Sequence, residues 1–105
     1  MKAAIYARTA TKEQSIEAQI TKCKEFIESL GGEVTCIYSD EGFSANDHNR
    51  PSLRKLIEES SSGDFNTVVS FGYARIFRNV FDLKEFEFGL NQQEIELLIA
   101  DIKNQ

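Results

Sequence analysis

The architecture can be worked out from "KAAIYARTATKEQSIEAQI", residues 2–20. A short apolar run over 2–7, rich in strand formers, reads as a buried strand. It ends at Arg8, passes through a hydroxyl-rich loop and enters a helical pattern. Ile16, Ile20, Cys23, Ile27 and Leu30 are spaced by three and four residues, one face of a helix over 15–32. Ser15 is placed to cap its start and Gly31-Gly32 to stop it. A strand feeding an amphipathic helix is the opening of an alternating α/β chain.

The alternation continues. Residues 33–41, "EVTCIYSDE", begin a second strand, and the polar stretch 42–51 reads as a loop. Pro51 opens a helix with Leu53, Leu56 and Ile57 turned inward. "SSSGD" (60–64) is a turn, "NTVVSFGYA" (66–74) a third strand, "RNVFDLKEFEFGL" (78–90) a helix capped by Asn79, and "EIELLIAD" (94–101) a fourth strand. The expected architecture is an open, mainly parallel sheet of four strands, or five, flanked by helices and joined by right-handed crossovers. Ligand sites in such sheets lie beyond the carboxyl ends of the strands.

Length and composition bound the rest. A chain of 105 residues holds one domain with a modest core. No apolar run approaches the roughly 18 residues of a membrane span, and no signal-peptide pattern opens the chain. The expected setting is the cytoplasm, with no membrane partner. Cys23 and Cys36 have neither zinc-ligand nor CxxC spacing and read as reduced, buried thiols. His48 is the one histidine and reads as a surface residue, so no metal and no cofactor are called for. The net charge of −5 argues against DNA binding through the whole surface, but leaves room for a small basic pocket.

Arg8, Arg50, Arg75 and Arg78 follow three different strands and so fall at one edge of the sheet. The planar guanidinium fork suits a phosphate, and several converging forks would stabilise the charge of a phosphoryl-transfer transition state. The plainer reading pairs each arginine with an acid on the surface, where such pairs are weak.

These segments carry a resemblance. "YARTATKEQSIEAQI", "YSDEGFSANDHNRPSLRKLI" and "GDFNTVVSFGYARIFRNVFDL" resemble, in order and at fitting spacing, the N-terminal catalytic domain of the serine recombinases, the resolvase and invertase family. The resemblance runs over about residues 2–99. It implies a resolvase-like fold and DNA as substrate. It also implies a metal-free reaction in which a serine attacks a phosphodiester while arginines stabilise the pentavalent state, strands being exchanged within a tetramer. Carried across, Arg8 and Gln14 match the first motif, Arg50 the arginine before proline, and Arg75 and Arg78 the two arginines after the third strand. The expectation is a single resolvase-like catalytic domain over residues 1–105, cut before the family's long dimerisation helix and without its DNA-binding domain.

The chain departs from the family pattern at the nucleophile. Ala10 occupies the serine's position, and a methyl group cannot attack phosphorus. Thr9 and Thr11 flank it, but side chains one residue away are aimed elsewhere. Ala74 replaces an aspartate, Phe77 a small polar residue and Thr9 a valine. Several changes in one pocket point to natural loss of catalytic constraint rather than one engineered substitution. The expectation is a recombinase-type domain that is chemically silent and holds DNA weakly through Arg8, Arg50, Arg75 and Arg78. Two other readings are a non-enzymatic regulator that joins an intact serine recombinase or self-associates, and a small phosphate-binding module unrelated to recombination. Phe77, Phe81, Phe86 and Phe88 are dense for one helix region. Most are expected in the core, with one at an interface.

Overall fold

In β1 (Lys2–Thr9), alternation sends Ala3, Ile5 and Ala7 to one side of the sheet and Ala4, Tyr6 and Arg8 to the other. All but Lys2 are buried, as a central strand requires. The computed structural model describes residues 1–11 and 15–101. After β1 come α1 (Ile16–Ser29), β2 (Glu33–Glu41), α2 (Pro51–Glu59), β3 (Thr67–Ser70), the single turn α3 (Tyr73–Ile76), α4 (Val80–Gln92) and β4 (Glu96–Ile99). The four strands form one sheet in the order β2-β1-β3-β4, every pair parallel.

The helices divide between the two faces. Cys23 and Ile27 of α1 pack on Ala3, Ile5 and Val69, while Ile16 and Ile20 pack on Ala7. On the other face Leu53 and Leu56 of α2 and Phe86 and Leu90 of α4 close over Ala4, Tyr6, Tyr38, Val68 and Leu97. The chain therefore leaves β1 toward β2 by one face and returns to β3 by the other. The crevice between β1 and β3 is the switch point of the sheet. It is widened by strand length: β3 pairs with β1 only from Ala3 to Tyr6, whereas β2 accompanies β1 as far as Thr9. The last residues of β1 thus stand beside the segment that turns away after Ser70.

Local chemistry sets the helix ends. Ser15 Oγ accepts from Ala18 N at 3.4 Å, and Gly31, at φ +74°, turns the chain out of α1 in a backbone conformation that favours glycine. Pro51 opens α2. Asn79 Oδ1 accepts from Phe81 N at 2.8 Å and Asp82 N at 3.2 Å, capping α4.

Four expectations need correction. β3 is shorter than 66–74, because Gly72 leads into α3 and removes Tyr73 and Ala74 from the ladder. Leu30 is 51% exposed because α1 has already ended at Ser29, so it leaves the helical stripe. Ile57 is exposed as well: α2 is short, and only Leu53 and Leu56 meet the sheet. Finally, Phe77 and Phe86 are buried, but Phe81 and Phe88 are 68% and 64% exposed. The seven-residue spacing does put those two on one face of α4, but it is the face turned to solvent. Among the described residues no helix is long and apolar enough to cross a membrane.

Candidate functional site

The carboxyl ends of β1 and β3 bring the four arginines into one neighbourhood. Burial first, then the positive charges of Arg50 and Arg75, and more weakly Arg78, pull the Arg8 pKa below arginine's ordinary value; the buried Tyr6 opposes them. Arg8 nevertheless stays charged. The four do not play equal parts.

Arg8 and Arg50 face inward. Arg8, 3% exposed, donates from Nε to the Arg75 carbonyl at 3.0 Å, from Nη1 to the Phe43 carbonyl at 2.7 Å and from Nη2 to the Ala74 carbonyl at 3.0 Å. Arg50, fully buried, donates from Nε to the Asp47 carbonyl at 2.9 Å. Its Nη1 donates to Tyr6 Oη and to the Arg75 carbonyl, each at 3.3 Å, and its Nη2 to the Ile76 carbonyl. The physical reason lies in α3. Phe77 is extended, at φ −143° and ψ 142°, so the helix stops after one turn and its last carbonyls have no helical partner. Two guanidiniums supply the missing donors and sit where the helix dipole favours cations. Phe77 then covers Arg50, its ring centre 4.7 Å from the guanidinium carbon.

Further polar contacts hold this arrangement in place. Asp40 accepts from Tyr6 Oη at 2.8 Å and from the first-turn amides of α2, Ser52 N at 2.9 Å and Leu53 N at 3.0 Å. Burial pushes the Tyr6 hydroxyl far above its ordinary pKa, the Arg50 charge opposes that, and the bond to Asp40 adds to the rise. Tyr6 therefore stays protonated, donating to Asp40 and accepting from Arg50. Gln19 clamps the end of β1 from the opposite face: its Oε1 accepts from Arg8 N at 3.3 Å and its Nε2 donates to the Arg8 carbonyl at 2.9 Å. The sequence reading missed Asp40 and Gln19. Gln19 had a signal, as the one polar residue on the buried stripe of α1.

Arg75 is half-buried and Arg78 is exposed, so both reach solvent to a degree that the inward pair does not. Among the described residues Lys22 pairs with Glu25 at 3.8 Å and His48 contacts Asp82 at 3.3 Å, and neither contact holds an arginine. The surface-pairing reading of the arginines fails for these residues. In a chain with 17 acids and 12 bases, Arg75 and Arg78 carry positive charge at the mouth of the crevice, and no carboxylate among the described residues forms an ion pair with either.

Ala10 follows β1 at this edge and is exposed. The Thr9 carbonyl accepts from Gly42 N at 2.9 Å and Phe43 N at 3.2 Å, tying this end of β1 to the loop after β2. The Thr9 hydroxyl is sealed away from solvent, and its oxygen has no hydrogen-bond partner among the described residues. Thr11 is exposed. Gln14, the remaining expected site residue, lies outside the described residues. The arrangement can bind an oxyanion at Arg75 and Arg78 over a backbone braced by Arg8 and Arg50; at residue 10 it presents a methyl group.

Comparison with known proteins places the fold. The family model "Resolvase, N terminal domain" matches residues 3–105. The chain is 32% identical over 103 residues to a putative DNA recombinase of Bacillus subtilis (strain 168), covering 93% of this chain and 20% of that protein. It is 41% identical over 64 residues to the uncharacterized immunity region protein 3 of Bacillus phage phi105, covering 56% of this chain and 78% of that one. Among solved structures, the N-terminal catalytic domain of TP901-1 integrase superposes with a TM-score of 0.93 at 29% identity, over 97% of this chain and 79% of that one. The chain thus spans about a fifth of the length of the Bacillus subtilis relative.

Proposed function

The chain belongs to the resolvase N-terminal domain family, and on that premise we propose that it is a serine-recombinase-type domain that meets the DNA backbone without cutting it. Arg75 and Arg78 hold the oxygens of a backbone phosphate, the guanidinium fork matching two of them at once. Arg8 and Arg50 act one step back, holding the turn from which Arg75 projects. The observation that carries the reading is the exposed methyl of Ala10 at the same edge as Arg75 and Arg78, which no described carboxylate neutralises. Phosphoryl transfer to the protein needs an oxygen or sulfur there, and a methyl group supplies neither. The sealed Thr9 hydroxyl cannot stand in for it.

The test is a denaturing-gel assay with a nicked or suicide duplex. The chain as it stands should bind at low salt and give no covalent adduct, while Ala10→Ser returns the nucleophile to the edge where a phosphate would lie. An adduct formed by the unsubstituted chain through a threonine or serine would sink the proposal.

A second reading, a non-enzymatic partner of an intact recombinase, is favoured by one observation: α4 leaves Val80, Phe81 and Phe88 exposed. Exposed apolar clusters of this kind mark contact surfaces. Analytical ultracentrifugation of the chain with an active recombinase would test it, with co-sedimentation lost in Phe81→Ser expected and independent sedimentation refuting it.

A further inference from the structure

Beside the arginines lies a second recess, on the α1 side of the sheet. It has a volume of about 440 Å³ and is lined by Ser15, Ala18, Gln19, Lys22, Phe71 and Arg75. That size falls within the range of about 300–1,000 Å³ found for ligand sites. Its chemistry is unlike that of the groove between α2 and α4. The cleft between α2 and α4 carries Asp82 and Glu85 on its rim and would repel a phosphate. The α1 recess has two cations and no carboxylate among its described lining residues, in a chain of net charge −5. Lys22 is well exposed, and its contact with the equally exposed Glu25 is a long one, 3.8 Å, of the kind that contributes little. Phe71 is half-buried, one part packed on the core beneath α1 and the rest facing the recess. The recess also opens at the start of α1, where the helix dipole favours an anion.

Arg75 belongs both to this recess and to the arginine cluster. Arg75 thus links the recess to the arginine cluster. We propose that the recess takes one nucleotide of the DNA strand that the arginines hold, with Phe71 against its base or sugar ring, Arg75 on the phosphate to one side and Lys22 on the phosphate to the other. An aromatic floor between two cations is the pattern by which proteins follow a nucleic-acid strand without reading its sequence. The inference rests on the reading of the chain as a DNA-backbone-binding domain and adds to it where the strand runs.

Fluorescence anisotropy with a labelled oligonucleotide across a salt series tests it. Lys22→Gln should weaken binding about fivefold and lower the salt slope by about one. Phe71→Leu keeps an apolar side chain against the core and should weaken binding about fivefold with little change in slope; circular dichroism confirms that it is folded. Lys55→Gln, an exposed lysine on α2 away from the recess, should bind as the unsubstituted chain does. If Arg78→Gln weakens binding while Lys22→Gln and Phe71→Leu do not, the recess is overturned and the wider reading stands. An equal loss in Lys55→Gln also overturns the recess, since the lysine effect would then be unspecific. No binding by the unsubstituted chain at low salt would overturn both.

Discussion

Replacing Arg50 with methionine separates a structural arginine from a ligand-binding one. Methionine fills much of the same volume but removes every donor. The Arg75 carbonyl would keep Arg8 as partner, whereas the Asp47 and Ile76 carbonyls would lose their guanidinium donor. A buried acceptor left unmet costs about 1–3 kcal/mol, and the lost stacking of the cation on Phe77 adds about 1 kcal/mol. For the two carbonyls and the stacking together these give about 3–7 kcal/mol, a range that includes the cost of breaking other buried charge networks. A domain of this size has only about 5–15 kcal/mol in all, so the melting temperature should fall by about 15 °C or more. Arg78→Met removes the same charge from an exposed position and should cost less than about 0.5 kcal/mol. Urea and thermal unfolding followed by circular dichroism measure both. An Arg50→Met chain within about 1 kcal/mol of the parent, or an equal loss in Arg78→Met, would refute the assignment of Arg50 to the scaffold.

Thr9→Val should stabilise the fold by about 1 kcal/mol, because it removes a buried hydroxyl oxygen without a described partner at little change in shape; destabilisation in chemical unfolding would show that the hydroxyl is satisfied. Phe86→Ala should cost about 3–4 kcal/mol and Phe81→Ala less than about 0.5 kcal/mol, since one side chain is core and the other solvent-facing; similar losses in the two would contradict the orientation of α4. Burial pushes the Cys23 thiol up to about 12. The folded state thus favours the protonated thiol, and its contribution is full below the unfolded value near 9 and is lost as pH rises toward about 12. The stability-versus-pH curve of Cys23→Ala should be flatter than the parent's across that window, and parallel curves would show that the thiol is not responsible.

Periodicity alone made β1, α1 and β2 legible in the sequence, because these segments carry clear apolar runs bounded by loop or capping residues. It failed where an element is short or ends early. Leu30 continues the spacing of α1, but the helix has stopped one residue before it. Residues 71–74 continue the apolar run of β3, but Gly72 and the turn behind it end the ladder at Ser70. The arginines show a different limit. Their placement after three strands was readable, and the structure brings them together. Their division into two inward and two outward residues was not, because it depends on α3 ending after one turn and exposing carbonyls that no sequence pattern announces. Asp40 was hidden for a similar reason: its partners, Tyr6 and the first amides of α2, are distant in sequence. Phe81 and Phe88 were correctly seen to share a face, but spacing alone does not say whether that face meets the sheet.

The proposal that this cationic edge holds DNA backbone can be probed residue by residue through amide NMR titration with a short duplex at low and at high salt. Shifts should concentrate at residues 8–11, 15–22 and 71–78 and vanish at high salt, with the duplex intact at the end of the titration. Absence of shifts at low salt, or shifts centred on the exposed face of α4, would contradict the assignment of this edge to DNA.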